Sequence, residues 1–223
     1  MATDVRLTWD NNAVVGTSTR IEREEIVTYF LDNFNEVSEI SLEDHIPDIG
    51  LHPTNPNWYV ENYPDRWKVR AGLGYVQGTS SSTNDMAAYQ VTPESFRAII
   101  VFPGWHGTAT TGAGFNFRNS VWGWNGYPSY TMRVSGEIND RKARLMINNV
   151  NVASTAALGN LGEGNPVTVD FTVIGSELEC SATDLNGTVS FTYSGIGNES
   201  TTKIGLVGYY GAGIFTSVKV MTP

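Results

Sequence analysis

Cysteine is almost absent: Cys180 is the single one in 223 residues, which excludes an internal disulfide framework and leaves stability to packing. It sits in the alternating run Glu177 to Ala182, where a buried small hydrophobe is expected rather than a nucleophile. Positive charge is also scarce. Fourteen Lys and Arg stand against 23 Asp and Glu, a net charge of −9, and no basic run exceeds two residues, so a phosphate backbone has no electrostatic footprint to bind and nucleic acid is not expected as a partner. The three histidines, His45, His52 and His106, lie far apart without a His-x-x-x-His or Cys partner, and no zinc site is expected. No 18 apolar residues occur together, so membrane insertion is not expected. The opening MATDVRLTWDNN lacks a basic region followed by an apolar run, so no secretion signal is expected. No apolar period of 3.6 residues runs for a useful length, and no repeat of 20 to 50 residues is evident. No Ser-His-Asp trio, P-loop or Gly-x-Gly-x-x-Gly pattern supports nucleophilic or nucleotide chemistry. No cofactor is implied.

What is present is turn-rich and aromatic: 23 glycines, 11% aromatic residues and only 17% charged residues fit an all-β domain. The most informative stretch runs from Gly112 to Gly136, GAGFNFRNSVWGWNGYPSYTMRVSG. Phe115 and Phe117 alternate with Asn116 and Arg118, and Tyr130, Met132 and Val134 alternate with Thr131, Arg133 and Ser135. That period of two puts each apolar set on one face of a strand. Asn125-Gly126 supplies the positive φ of a tight reversal, so two strands meet at a loop carrying Trp122, Trp124 and Tyr127. Further strands are read at Leu73 to Gln77, Met86 to Val91, Phe96 to Phe102, Ala143 to Ile147 and Val150 to Ser154, with a turn at Asn148-Asn149. The series continues with Val167 to Ile174, Leu178 to Ala182, Val189 to Tyr193 after a turn at Asn186-Gly187, Ile204 to Tyr210 and Phe215 to Val220. Many short strands around one core favour two packed antiparallel sheets. Residues 1–27 read differently: Val5, Leu7 and Trp9 alternate, then a polar turn leads to a charged segment containing Ile21. These four side chains are too few for a core of their own, so an arm anchored on a partner is expected there, with the sandwich at 28–223.

Three segments resemble the concanavalin A-like, laminin G-like jelly-roll family, in the version found in phage structural proteins. They are FLDNFNEV…SLEDHIPDIG…NWYV at Phe30 to Val60, GFNFRNSVWGWNGYPSYTMRV at Gly114 to Val134, and TKIGLVGYYGAGIFTSVKV at Thr202 to Val220. The resemblance implies a jelly-roll sandwich from about Thr28 to Val220, with Gly205 and Gly208 allowing close packing and Phe215 returning to the core. Members of the family bind glycans, cleave them or hold particles together, so the fold alone leaves the activity open. The paired carboxylates of its retaining hydrolases, Glu-x-Asp-x-x-Glu along one strand, have no counterpart here: Glu137 and Asp140 lie at a turn, and Glu177 and Glu179 lack the intervening Asp. Its clustered metal ligands are missing too, and Asp184 and Asn186 read as turn-formers with no metal site expected.

The candidate contacts are aromatic. Trp105 and His106 in PGWHG offer an indole and an imidazole to a sugar face; Trp124 and Tyr127 line the central loop; Tyr209 and Tyr210 precede a Gly-rich turn, and one of them must point outward. Arg118 and Arg133 read as structural forks. The expected function is a non-enzymatic virion structural protein: a head decoration or a tail or fibre component, made in the host cytoplasm, anchored to other virion proteins by Val5, Leu7, Trp9 and Ile21, and oligomeric on the particle. It displays a lectin-like sandwich with adhesion to host-surface glycans. The alternatives are a stand-alone carbohydrate-binding module, and behind it a glycoside hydrolase or lyase.

Overall fold

The structure, a computed structural model, describes residues 3–7, 23–50, 57–60, 66–70, 72–76, 85–89, 93–103, 112–119, 130–135, 141–158, 165–197, 203–209 and 213–223. Among them are eighteen strands, of which the first six are β1 (Thr3–Leu7), β2 (Arg23–Asp32), β3 (Ile40–Ser41), β4 (Tyr59–Val60), β5 (Trp67–Arg70) and β6 (Leu73–Val76). Then come β7 (Asp85–Tyr89), β8 (Phe96–Phe102), β9 (Gly112–Asn119), β10 (Tyr130–Ser135), β11 (Ala143–Ile147) and β12 (Val150–Ser154). The chain closes with β13 (Val167–Ile174), β14 (Glu177–Asp184), β15 (Gly187–Ser194), β16 (Lys203–Tyr209), β17 (Ile214–Phe215) and β18 (Ser217–Met221). A 3-10 turn spans Leu42–Asp44, and no described helix is long and apolar enough to cross a membrane.

Two seven-stranded antiparallel sheets form the sandwich, in the orders β1-β2-β18-β8-β13-β14-β15 and β12-β11-β10-β9-β16-β7-β4. The reason lies in alternation. Phe96, Ala98, Ile100 and Phe102 on β8, and Val167, Val169, Phe171 and Val173 on β13, are all buried, while the residues between them are not fully so. On the opposing sheet Ala113, Phe115 and Phe117 of β9 and Tyr130, Met132 and Val134 of β10 are buried in turn. The two inner faces meet ring to ring: Phe117 lies 5.2 Å from Phe171 and 5.9 Å from Phe96, and Phe115 lies 6.0 Å from Phe171. Each such ring removed from water contributes about 1.5–3 kcal/mol, so this aromatic seam is a main source of cohesion between the sheets. A four-stranded sheet, β17-β6-β5-β3, joins the same core through Phe215, whose ring is 6.4 Å from Trp67 and 5.4 Å from Phe102.

The two strands expected around the aromatic loop are present and paired, with Phe117 opposite Tyr130 and Phe115 opposite Met132. Their apolar faces belong to the core, and the loop between them, with Trp122, Trp124 and Tyr127, lies outside the described residues. The turn at Asn148-Asn149 has both residues at positive φ, 50° and 67°, as a two-residue hairpin requires. Two details differ from expectation. The final strand divides into β17 and β18, because Thr216 turns its N–H and its hydroxyl to the Val101 carbonyl. The boundary expected between 27 and 28 falls inside β2, which runs unbroken from Arg23, and β1 adds itself to that strand with Thr3 opposite Val27. The backbone of β2 finds ladder partners on both sides, which carries the sheet across that point.

Candidate functional site

The outer face of the first sheet is built by strict register across four strands. Arg97, Thr172, Glu179 and Thr192 stand in one row from β8 to β15; Ile99, Asp170, Ser181 and Ser190 stand in the next; Val101, Thr168, Thr183 and Thr188 in a third. Every neighbour of these residues along its strand points the other way, into or toward the core, which is why the sheet presents hydroxyls and carboxylates here in an ordered array. A groove of about 610 Å³ lies over the first two rows, lined by Arg97, Asp170, Thr172, Glu179, Ser181, Ser190 and Thr192, with Cys180 and Phe191 at its floor.

One pair fixes its electrostatics. Arg97 donates from Nε to Asp170 Oδ1 at 2.9 Å and from a terminal nitrogen to Oδ2 at 2.6 Å, a two-pronged contact that occupies both carboxylate oxygens. The hydrogen bonds to Asp170 raise the Arg97 pKa, partial burial works against them, and the Asp170 charge adds to the rise. The fork is thus spent on a neighbour, and Glu179 remains as the carboxylate not engaged by Arg97. Side-chain hydroxyls complete the surface, with Thr183 and Thr188 bonded to each other at 2.9 Å. Cys180, whose backbone lines the groove, turns its thiol into the core to within 3.8 Å of Met132 Sδ. Burial, with the Asp170 charge behind it, pushes that thiol up to about 12, so it is inert, as the alternating run around it suggested.

A second polar cluster is largely buried, with Glu36 at its partly exposed edge. Its members come from the opening segment of the family resemblance. Asp32, fully buried at the end of β2, accepts from Phe34 N at 2.7 Å, Trp58 Nε1 at 2.7 Å and His45 Nε2 at 2.8 Å; the other ring nitrogen of His45 meets Glu36 Oε1 at 2.8 Å. Burial lowers the His45 pKa, but hydrogen bonds and charge from Asp32 and then Glu36 outweigh it, and the net direction is up. The Asp32–Phe34 bond holds Phe34 at φ 52°, where its ring stacks on Trp58 and lies tilted against His45. With 3% of its surface exposed and both ring nitrogens bonded to carboxylates, His45 holds the segment together from within.

Arg118 is structural as well. It sits at positive φ in a bulge of β9 against β16 and donates to the carbonyls of Gly197 and Glu94, 2.8 and 2.5 Å away, tying three segments together; burial lowers its pKa. Arg133 lies across Gly112, where an added Cβ would come within 2.9 Å of its Nε. Asp184 Oδ1 accepts from Asn186 N at 2.7 Å, the turn-forming role expected of the pair. Among the described residues no three His, Cys, Asp or Glu are grouped to hold a metal ion.

Of the aromatic contacts expected from the sequence, Trp105, His106, Trp124, Tyr127 and Tyr210 lie outside the described residues, as do Trp9 and Ile21 of the arm. Val5 and Leu7 take positions on β1, and Tyr209 ends β16. Sequence reasoning passed over the groove. Its signal was the run of Thr, Ser, Asp and Glu at alternate positions of three successive strands, but alternation alone reads as an ordinary wet face until register aligns the rows.

No family model matches the sequence, and no curated protein does. Solved structures do. The VIP36 exoplasmic/lumenal domain in its Ca2+/Man2-bound form aligns with a TM-score of 0.59 at 10% identity, over 87% of this chain and 90% of that one. Lectin II from Ulex europaeus aligns at 0.53 and 12% identity over 78% and 96%. A GH43B protein of a Bacteroides ovatus xyloglucan locus aligns at 0.55 and 13% over 96% of this chain, which spans 44% of that one. At such identities the likeness establishes the fold: a legume-lectin-like, concanavalin A-like sandwich.

Proposed function

We propose that this chain is a non-catalytic glycan-binding domain, and that the groove across β8, β13, β14 and β15 holds an uncharged sugar chain. The observation that carries the reading is the registered array of hydroxyls, carboxylates and one fixed Arg–Asp pair over a groove of about 610 Å³. A saccharide is a dense set of hydroxyls that both donate and accept; Ser and Thr hydroxyls match them in both roles, while Glu179 and the ordered Asp170 accept. The lining is the few-polar-groups half of a ligand site, and Arg97 is already paired, so a glycan carboxylate or sulfate would find no unpaired cation in the groove. A chain with net charge −9 repels anionic glycans at longer range too. The likeness to the Man2-bound VIP36 domain and to a lectin supports the class of ligand. Hydrolysis is disfavoured at this groove, because Arg97 occupies both oxygens of Asp170 and leaves Glu179 without a second disengaged carboxylate in the lining.

The test is equilibrium binding of the whole chain to arrays of neutral and acidic oligosaccharides, with Thr192→Trp to fill the groove from an exposed position. Binding to neutral glycans that falls at least tenfold in the variant, with an unchanged melting temperature, supports the reading; binding that the variant leaves intact overturns the site.

The setting proposed for this binding is the surface of a virus particle, where the domain acts as a decoration, tail or fibre component. Among the described strands β1 pairs only with β2, at the sheet edge, which suits a terminal segment able to exchange onto a neighbouring protein. Particles lacking the protein, mixed with the chain with and without residues 1–27, test it: attachment only of the longer form supports the arm, and attachment of neither form removes the virion reading in favour of a stand-alone carbohydrate-binding module.

A further inference from the structure

We infer that Glu179 makes the groove selective for amino sugars, so that the glycan it holds most tightly carries a free amine, as ammonium, on an otherwise uncharged chain. The inference rests on the groove as the glycan site and adds one feature to its ligand. Glu179 is exposed on β14 and stands directly between Thr172 of β13 and Thr192 of β15, with cross-strand Cβ separations of roughly 5 Å. Neither its carboxylate nor the two threonine hydroxyls has a hydrogen-bond or ion-pair partner among the described residues. Neighbouring groups on the same face are engaged. Asp170 holds Arg97, Thr183 bonds Thr188, Ser181 Oγ reaches the Asp170 carbonyl at 3.5 Å, and Glu177 Oε2 accepts from Ser194 Oγ at 2.5 Å. What this row keeps open is a carboxylate flanked by two hydroxyls, three acceptors side by side.

A primary ammonium matches that trio. It carries three donors and no acceptor, one proton for each of the three side chains. A sugar hydroxyl has a single proton to donate, and an acetamido group has a single N–H, no charge and an acetyl group to seat. The field acts in the same direction. Glu177 lies on the same face of β14, two residues from Glu179 and roughly 7 Å away, and adds a second negative charge. No side chain of β15 is charged, and the chain as a whole carries −9. Arg97 is two strands from Glu179, roughly 10 Å, and its charge is closed on Asp170; Lys219 of β18 is one strand further. Glu179 therefore sets the sign of the potential at the β14–β15 end of the groove.

Calorimetric titration of the whole chain with matched glycans tests this. The probes are trisaccharides of the gluco, galacto and manno series, each as the parent hydroxyl compound, the free amine and the N-acetylated amine. In the series that binds, the amine form should bind about fivefold more tightly than the other two in dilute buffer, a gain in the range of a solvent-exposed ion pair, and the advantage should shrink below about twofold in about 0.5 M salt. In Glu179→Gln, which keeps the side chain's shape and removes its charge, amine and parent forms should bind alike. Asp44→Asn makes the same change of net charge at an exposed position off the groove and should retain the advantage, which separates a contact at Glu179 from diffuse attraction to an acidic chain. Amine and parent forms that bind wild type equally overturn the inference and leave the groove reading standing, as does an advantage that survives Glu179→Gln. Absence of binding by every form overturns both.

Discussion

Replacing Asp32 by Ala removes the acceptor at the buried centre of the polar cluster, and the cost can be worked group by group. Phe34 N and Trp58 Nε1, both held at 2.7 Å, become buried donors without a partner, at about 1–3 kcal/mol each. His45 loses the more buried of its two carboxylates in a site 3% exposed, and breaking a buried charged pair costs about 3–5 kcal/mol. Phe34 also loses the contact that holds it at positive φ. These terms share atoms and the cavity admits some relaxation, so the sum overstates the effect; about 5 kcal/mol is the expected loss. At roughly 2–4 °C per kcal/mol for a chain of this size, the melting temperature falls by about 10–20 °C. Urea unfolding followed by tryptophan fluorescence and by circular dichroism measures it, with coincident curves confirming two-state behaviour. Asp32→Asn, which keeps the shape and the bond to Trp58, should lose about half as much. A loss below about 1.5 kcal/mol for the Ala variant would refute the idea that this cluster locks the opening segment to the sandwich.

The same cluster sets a pH dependence. Because the folded pKa of His45 lies above its ordinary value near 6.5, its contribution is complete below about pH 6.5 and is lost as pH rises through the raised folded value. Urea midpoints of wild type should therefore decline on the alkaline side relative to Asp32→Asn, and parallel pH profiles would contradict this. Cys180, buried with its thiol at about 12, should ignore an aromatic disulfide reagent at pH 8 in the folded chain and react at the rate of unfolding; prompt modification of native protein would place the thiol elsewhere.

How much was legible beforehand follows from which forces act locally. Alternation gave β8, β11 and β13 with their observed bounds, because each strand has one more buried and one wetter face and a period of two reveals that from neighbours alone; β12, also read with its observed bounds, is exposed along most of its length. The Asn148-Asn149 and Asn186-Gly187 turns were readable for the same reason: positive φ is a local demand that few residues meet. Partnerships distant in sequence were not. His45 looked isolated because its partners are Asp32, thirteen positions earlier, and Glu36, nine positions earlier, and neither spacing is a motif. Arg97 and Asp170 are 73 positions apart and meet only because β8 and β13 become neighbours in the sheet. The groove is a property of register, which sequence patterns constrain to a face and leave free along the strand. The division at residue 27 was drawn where composition changes, whereas the backbone of β2 follows its ladder partners on β1 and β18.

Chemical-shift mapping of the isotopically labelled chain, titrated with the neutral oligosaccharide that binds most tightly on the array, tests the central claim most directly. The account predicts saturable shifts concentrated at Arg97, Asp170, Thr172, Glu179, Ser181 and Thr192, with the Arg97 Nε–H signal among them. Shifts confined to residues 104–111 and 120–129, leaving these six unmoved, would contradict it and move the site to the aromatic loops.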